Sequence, residues 1–577
     1  MSRMADRPRT SDPDPWIHAP AWVAWIATAM AIAGIVFRVR LNFATDLAPS
    51  MDAAYYPMQA WWLLEHGRLM YQDMPLLFMV QAACGKGVAA IGRLPLDEAL
   101  MLASRWVDCV VPPLIAFPTM ALAMRWGAPT NAHERVACAA IGVAVSAALV
   151  AGPPALWMLG DFQKNAAALV LLACCVWAVQ RGFDRSEGPS WRRWWPAAMF
   201  VLLTACTHAG TLGAALLIAS LGAVGWVVLG GARRWRAWLA VSAWAGVATA
   251  VLLGFIWLFS PSRAVQLLTA PIRLLATESD RAPHGPGGPP PGDLGPPPDR
   301  MHRDDERGPL GPPPGMRGGP RPGMGGRPPG MAPPGGGSGA WLWGLTGVGG
   351  VTAIVRAWRD RRITLPTRSI GWALGASSLL LSAPLFGGEH AQRLSLMAAV
   401  PGGLAVAFAL GALVRSVTWR WLAIAGATGL VVMTAVPLAS LARPRDRGPG
   451  DRPSPGLVKA PVIDDETLQE LRAVRERIDD PEHTLVVARH GLQWWAGHVL
   501  HTPVRNTVPE DAFSRYRRVL MLRENRSGPE GPFGRPRRPG RPPEMDGVVV
   551  FEGEAMTLTE LSSPGARSRD DDPGSAR

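Results

Sequence analysis

Runs of about 20 apolar residues, rich in Ala, Leu, Val and Trp, alternate along this chain with short arginine clusters. A run of that length matches the hydrocarbon thickness of a bilayer, so each run predicts a membrane-crossing helix. The pattern places spans at roughly 21–38, 106–124, 136–152, 164–180, 197–208, 209–229, 238–259, 340–357, 369–385, 394–414 and 421–441. Residues 75–92 are apolar too, but they contain Gln81, Gly85, Lys86 and Gly87. A lysine at mid-bilayer is costly, so this segment is expected to lie at the interface or to re-enter rather than to cross. After Pro461 the pattern becomes that of a soluble unit. Asp464–Asp479 carries Leu468, Leu471, Val474 and Ile478 at helical spacing, Thr484–Ala488 reads as a strand, Leu492–Leu500 as a helix, and Arg518–Leu522 and Val548–Glu552 as strands. The expected fold is mostly α: a polytopic transmembrane helical bundle of about 11–12 spans with a small extracytoplasmic α/β C-terminal domain.

Charge fixes the sides. One cluster holds Arg181, Arg185, Arg192 and Arg193, a second Arg233, Arg234 and Arg236, a third Arg356, Arg359, Arg361 and Arg362. Placing all three in the cytoplasm satisfies the positive-inside rule and turns Asp161, His208, 260–339, 386–393 and everything after Leu441 outward. The domains expected are a cytoplasmic tail at 1–20, a membrane domain in two parts at 21–259 and 340–441, a Pro/Gly-rich extracytoplasmic loop at 260–339, and the soluble unit at 442–577, interrupted by a Pro/Arg/Gly insert at about 526–546. Stretches such as GPPPGD and RPGMGGRPPGM within 281–338 have almost nothing to bury and are expected to be disordered. The net charge of +13 would suggest a nucleic-acid partner in a soluble protein, but here much of the arginine sits in loops between spans, and no nucleic acid is expected. All six cysteines fall in or beside apolar segments, which argues against a disulfide framework or a zinc site. The run Trp22–Val36 is followed by Arg38 and Arg40 rather than by a small-residue cleavage site, so it reads as a retained first span.

Candidate chemistry gathers on the outward side. Asp52 follows the first span and precedes an amphipathic segment with Tyr55, Met58, Trp61, Trp62 and Leu64. A carboxylate there suits a general base, while Asp before Ala-Ala-Tyr is also good N-cap chemistry, the reading that spacing alone favours. Asp161 and Lys164 lie in Gly-Asp-Phe-Gln-Lys-Asn at the start of a span, as site residues or as a cap with a snorkelling lysine. Glu389, His390 and Arg393 sit between two spans; Arg393 suits a phosphate, or a lipid headgroup at the boundary. His208 stands alone in Thr-His-Ala-Gly, more structural than catalytic by its setting. Arg105 and Asp108, three apart, are expected to pair on one helical face. Trp494-Trp495, after His490-Gly491, suits sugar stacking or an ordinary core. Each signal is weak alone; their assignment to one side of one membrane is what carries weight.

The order of these features resembles a known group. A first span, Asp-x-x-Tyr (Asp52, Tyr55), an amphipathic segment, Gly-x-x-x-Tyr-x-Asp-x-Pro (Gly67 to Pro75), Ala-Ser-Arg ending at Arg105, Gly-Asp-x-x-Lys-Asn, and Arg-Leu-x-x-x-Ala-x-x-Pro (Arg393 to Pro401) are similar to the GT-C superfamily of integral-membrane glycosyltransferases, in particular the bacterial relatives of protein mannosyltransferases and aminoarabinose transferases. The resemblance covers most of residues 20–440 and lies in the order of loose motifs. It implies a multi-pass protein of the inner (plasma) membrane and a polyprenyl-phosphate-linked sugar as donor, transferred outside the cytoplasm to a protein, lipid or glycan acceptor. It implies Asp52 as catalytic residue, Asp161 as a second acid, and Arg393 on the donor phosphate; from the chain's own residues, His390, Lys164, His208, Tyr55 and Arg105 are expected as further substrate contacts. The chain departs from the pattern at Ala53, where a second acid is common, and at Asp73-Met74-Pro75, where some members have Lys-Pro-Pro; Lys164 is the candidate to replace that cation. No ligand spacing demands a metal, and carboxylates near a phosphate leave room for a divalent cation. The rival classes are a transporter or lipid flippase, for which neither an internal repeat nor a ladder of midplane charges is visible, and a non-catalytic envelope scaffold.

Overall fold

The computed structural model describes residues 21–184, 190–230, 235–259, 261, 265, 344–383, 388–414, 417–442, 461–525 and 547–563. The expected tail at 1–20, nearly all of the Pro/Gly loop, the 526–546 insert, Arg185, Arg233 and Arg234 lie outside them. Helices occupy the described part of every expected span. They are α1 (Ala21–Asn42), α2 (Tyr55–His66), α3 (Leu76–Gly92), α4 (Leu96–Val110), α5 (Ala116–Gly127), α6 (Ala132–Ala151), α7 (Pro153–Trp157), α8 (Gln163–Asp184), α9 (Ser190–Thr207), α10 (Ala209–Leu229), α11 (Trp235–Phe259), α12 (Gly349–Arg359), α13 (Leu365–Ser382), α14 (Gly388–Leu413) and α15 (Val417–Ala442). Among the described residues, six helical stretches are long and apolar enough to cross a bilayer: Ala21–Asn42, Leu96–Gly127, Ala132–Trp157, Gln163–Phe183, Ala209–Leu229 and Arg393–Leu413. The protein is a multi-pass membrane protein.

Small residues let the helices close on one another. A Cβ on Gly375 of α13 would stand 2.5 Å from the carbonyl oxygen of Gly350 in α12, so only hydrogen fits where these two helices meet. The core between α6, α8, α13 and α14 is correspondingly rich in alanine, with Leu374, Leu404 and Phe408 filling the gaps.

Polar contacts sort the helix ends into two sets. At one end Gln180 of α8 donates to Thr367 of α13 (3.0 Å), and Arg420 of α15 pairs with Glu134 of α6 (3.3 Å). Arg181, Arg356, Arg359, Arg361 and Arg362 belong to that end by sequence. The other end carries the loop after α1, the α7–α8 turn and the start of α4. The segment 75–92 also belongs there. Gln81 of α3 donates to Gln163 at the start of α8 (2.7 Å), and α4, which follows α3, begins with Asp97 paired to Arg475 of the C-terminal unit (2.9 Å). Both ends of α3 therefore lie on one side, Lys86 is exposed, and the expectation of a helix that does not cross agrees with this geometry.

The C-terminal unit comprises α16 (Asp465–Arg475), β1 (Thr484–Val487), α17 (Leu492–Leu500), β2 (Val504–Arg505), α18 (Ala512–Arg515), β3 (Arg518–Glu524), β4 (Gly547–Glu552) and β5 (Met556–Leu561). Its sheet runs β2-β1-β3-β5-β4, with β1 parallel to β2 and β3, and β5 antiparallel to β3 and β4. Asp464 caps α16 by accepting from the Thr467 N–H (2.8 Å). The strand at β5 was not among the predicted elements, although Met556 and Leu558 alternate with threonines as a half-buried strand does. The unit shares its core with the membrane part: Ala53, Ala54, Met58 and Trp62 of the α1–α2 loop and α2 pack with Leu471, Leu492, Trp495, Ala496 and Leu500. That shared core presses the soluble unit against the loop that holds Asp52.

Candidate functional site

The site is built on a buried frame. Arg38, near the end of α1, is fully enclosed and pairs with Asp108 of α4 (2.9 Å), while also donating to the carbonyls of Asp108 (2.9 Å) and Ala155 (3.1 Å). The other Asp108 oxygen accepts from Asn42 (3.2 Å) and from the backbone N–H of Gly160 (2.9 Å). A buried ion pair survives only when its remaining lone pairs are met, and here they are. The pairing expected between Arg105 and Asp108 does not form. Arg105 instead reaches the carbonyls of Asn42, Thr45 (2.7 Å) and Asp46 (2.7 Å) and lies over the Phe43 ring at 4.1 Å. The carbonyls at the end of α1 and beyond it take the guanidinium, and Arg38 takes the carboxylate, so tertiary partners override helical spacing.

Gly160 then sets the site itself. Its φ is +80°, and a Cβ there would collide with Ser50 Oγ and approach the Pro49 carbonyl to 2.6 Å. A side chain is excluded twice, by conformation and by space. With hydrogen alone at 160, the α7–α8 turn lies on the α1–α2 loop, and the backbone N–H of Asp52 donates to Asp161 Oδ1 (2.9 Å). Tyr56 adds its hydroxyl to the Asp161 carbonyl (2.9 Å). Two acids 109 residues apart in sequence are thereby joined.

Asp52 is not the N-cap of α2. The residue before that helix is Ala54, in helical conformation, and no side chain caps it. The Asp52 carboxylate turns instead to the C-terminal unit. Trp494 Nε1–H donates to Oδ1 (2.9 Å), and His490 Nε2 stands 3.6 Å from the same oxygen. Burial pushes the Asp52 carboxyl above the ordinary carboxylate range, with the Asp161 charge adding to the rise, against the pull of His490, Trp494 and Lys164.

Beside Asp52 stands an aromatic wall around a second acid. The buried Asp73 accepts from the Tyr55 hydroxyl (2.6 Å) and the Met74 N–H (2.8 Å) and is salt-bridged to Lys164. Gln59 holds the Tyr71 backbone through both its N–H and its C=O (3.1 Å each) and donates to the Tyr55 hydroxyl (3.1 Å). Ring centroids of Tyr55 and Tyr71 lie 4.9 and 5.3 Å from Trp494, and the Lys164 ammonium lies 5.5 Å from the Tyr55 ring. Burial, then the Asp73 charge, drives the Tyr55 hydroxyl well above its usual pKa, so it stays a donor.

The structure thus brings together Asp52, Asp161, Tyr55 and Lys164. Arg393 of α14 is exposed, with its guanidinium 5.7 Å from the ring of Phe162, the neighbour of Asp161. His208 caps α10, its Nδ1 accepting from the Thr211 N–H (3.1 Å), which agrees with the structural setting read for it. The side chains of Glu389 and His390 lie outside the described residues. The sequence assigns Asp73 no role beyond its motif, and it offers Trp494 and Trp495 as a pair. They separate: Trp495 is 2% exposed in the core, and Trp494 lines the site. No spacing signal links His490 to Trp494, because His490 precedes the helix and Gly491, with φ +93°, stands between them. Among the described residues, no group of three or more His, Cys, Asp and Glu gathers to hold a metal ion.

Fold and site define a multi-pass membrane protein with linked acids where its bundle meets a small C-terminal α/β unit. No family model matches the chain, and no curated protein matches it. Among solved structures it is similar to ArnT from Cupriavidus metallidurans, determined bound to undecaprenyl phosphate, at 12% identity over 94% of this chain and 98% of that one, with a TM-score of 0.37.

Proposed function

We propose that the protein is a glycosyltransferase of the inner (plasma) membrane, moving a sugar from a polyprenyl-phosphate donor to an acceptor hydroxyl on the extracytoplasmic face. The observation that carries this reading is the meeting of Asp52, Asp161 and Lys164 beside a wall of tyrosines and Trp494. The arginines of the opposite helix ends favour the cytoplasm for that end, which turns the site outward. The motif order that resembles the GT-C superfamily runs through the same residues.

In this mechanism Asp52 takes the proton of the acceptor hydroxyl as that oxygen attacks the anomeric carbon from the face opposite the phosphate. The raised pKa brings the carboxylate nearer the strength a base needs at neutral pH. Asp161 holds the Asp52 backbone and so its reach. Polyprenyl phosphate departs as a stable anion and needs no acid. Lys164, kept in place by Asp73, and the exposed Arg393 supply positive charge for the phosphate. The rings of Tyr55 and Tyr71 offer faces for a sugar. The test is purified protein in liposomes with radiolabelled polyprenyl-phosphate sugars and envelope acceptors. The wild type should transfer label, and Asp52→Asn should lose about 1,000-fold or more while expressing normally, since a positioned base contributes on the order of 100- to 10,000-fold. Turnover at the wild-type rate in that variant would show that Asp52 is not the base.

A further inference from the structure

Resting on Asp52 as the base, we infer that the C-terminal unit contributes two positioning residues, Trp494 and His490, that hold Asp52 Oδ1 and leave Oδ2 to meet the acceptor. The donor to Oδ1 is the Trp494 indole N–H at 2.9 Å. An indole N–H can only donate, so this contact orients the carboxylate in one sense. His490 faces the same oxygen at 3.6 Å, within reach of charge attraction and slightly beyond a hydrogen bond. Gln493 Nε2 lies 3.2 Å from His490 Nδ1, and the other ring nitrogen, Nε2, is the one that faces Asp52. Among the described residues, no hydrogen bond reaches Asp52 Oδ2.

The backbone explains why these residues arrive together. Gly491 has φ +93°, and a Cβ there would stand 3.2 Å from Met51 and 3.1 Å from Val462. The start of α17 is thus laid against the residue preceding Asp52, and His490 before the turn at Gly491 and Trp494 in the first turn of α17 both reach its carboxylate. Their rings meet edge to face at 5.7 Å, and Trp494 also packs on Tyr55 at 4.9 Å, which fixes the indole plane. The charged groups facing Asp52 are Asp161 and Lys164 from the bundle and His490 from the C-terminal unit. Only the last belongs to the layer that the inference makes part of the machinery.

The test uses full-length protein in liposomes, with the labelled donors above. Trp494→Phe keeps the ring and removes the donor. It should lower kcat about tenfold or more with KM nearly unchanged, because a hydrogen bond to a charged group that matters in the reaction is worth about that factor. The acid limb of its pH profile should move to higher pH, since the carboxylate loses a group that favours its charged form. His490→Ala should show a smaller fall that His490→Gln, still able to donate, restores. Trp495→Phe, one residue on and in the core, should behave as wild type. Wild-type kcat and an unmoved acid limb in Trp494→Phe, with Asp52→Asn inactive, overturn this inference alone. An active Asp52→Asn variant overturns the base assignment and the inference with it.

Discussion

Asp52 is a carboxylate held against its own solvation. Burial and the neighbouring Asp161 charge both disfavour its ionised form, and its folded-state pKa lies above that of the unfolded chain. Such a group contributes stability that is complete below the unfolded value, about 3.9 for aspartate, and is lost as pH rises through the folded value. Asp52→Asn cannot ionise and should unfold at a higher temperature than the wild type at pH 7 in detergent, with the gap closing below about pH 4. A variant less stable than wild type at pH 7 would mean that Trp494, His490 and Lys164 outweigh burial. A site residue that costs stability is common where function sets the choice. Much of the site was legible at this scale: Asp52, Asp161, Lys164 and Tyr55 stand out as polar residues where an apolar chain leaves the bilayer. What sequence could not show is pairing across distance. Asp73 with Lys164, and Asp52 with Trp494, are set by tertiary contact. The N-cap reading of Asp52 failed because the backbone makes one further turn, Tyr55 N–H to the Asp52 carbonyl (3.1 Å), before the helix begins.

At the scale of elements, two glycines with positive φ divide the labour. Gly67 ends α2 in left-handed conformation, its N–H closing on the Leu63 carbonyl, and a Cβ there would meet nothing within 4 Å. Gly67→Ala should cost about 1 kcal/mol, the conformational penalty alone. Gly160→Ala adds collision with Ser50 and Pro49. It should cost about 3 kcal/mol or more and separate Asp52 from Asp161, abolishing transfer, because local strain and overpacking act together. Chemical or thermal unfolding of the two variants side by side measures the difference; equal losses would mean that the loops can part cheaply. The helices themselves were readable because a span must satisfy its backbone internally and bury its sides in lipid or neighbours, which leaves long apolar runs. The C-terminal strands are shorter and half-buried, and β2, two residues long, offers too little pattern to detect.

Across the whole molecule, parity is the test. With α3 confined to one side, the bundle places position 52 on the face opposite the arginine-rich loop at 361–362. In intact cells, on a background with the native cysteines replaced, Asp52→Cys should react with a membrane-impermeant maleimide only when the reagent is outside, and Arg361→Cys only after permeabilisation. Labelling in the reverse sense would invert the topology. The contact between Trp494 and Asp52 also spans 442 positions of chain. Residue 52 is therefore synthesised long before residue 494, and the arrangement around this acid cannot exist until the later residue has been added. A polypeptide already threaded into the bilayer but ending short of residue 494 would carry this carboxylate without the indole that grips it.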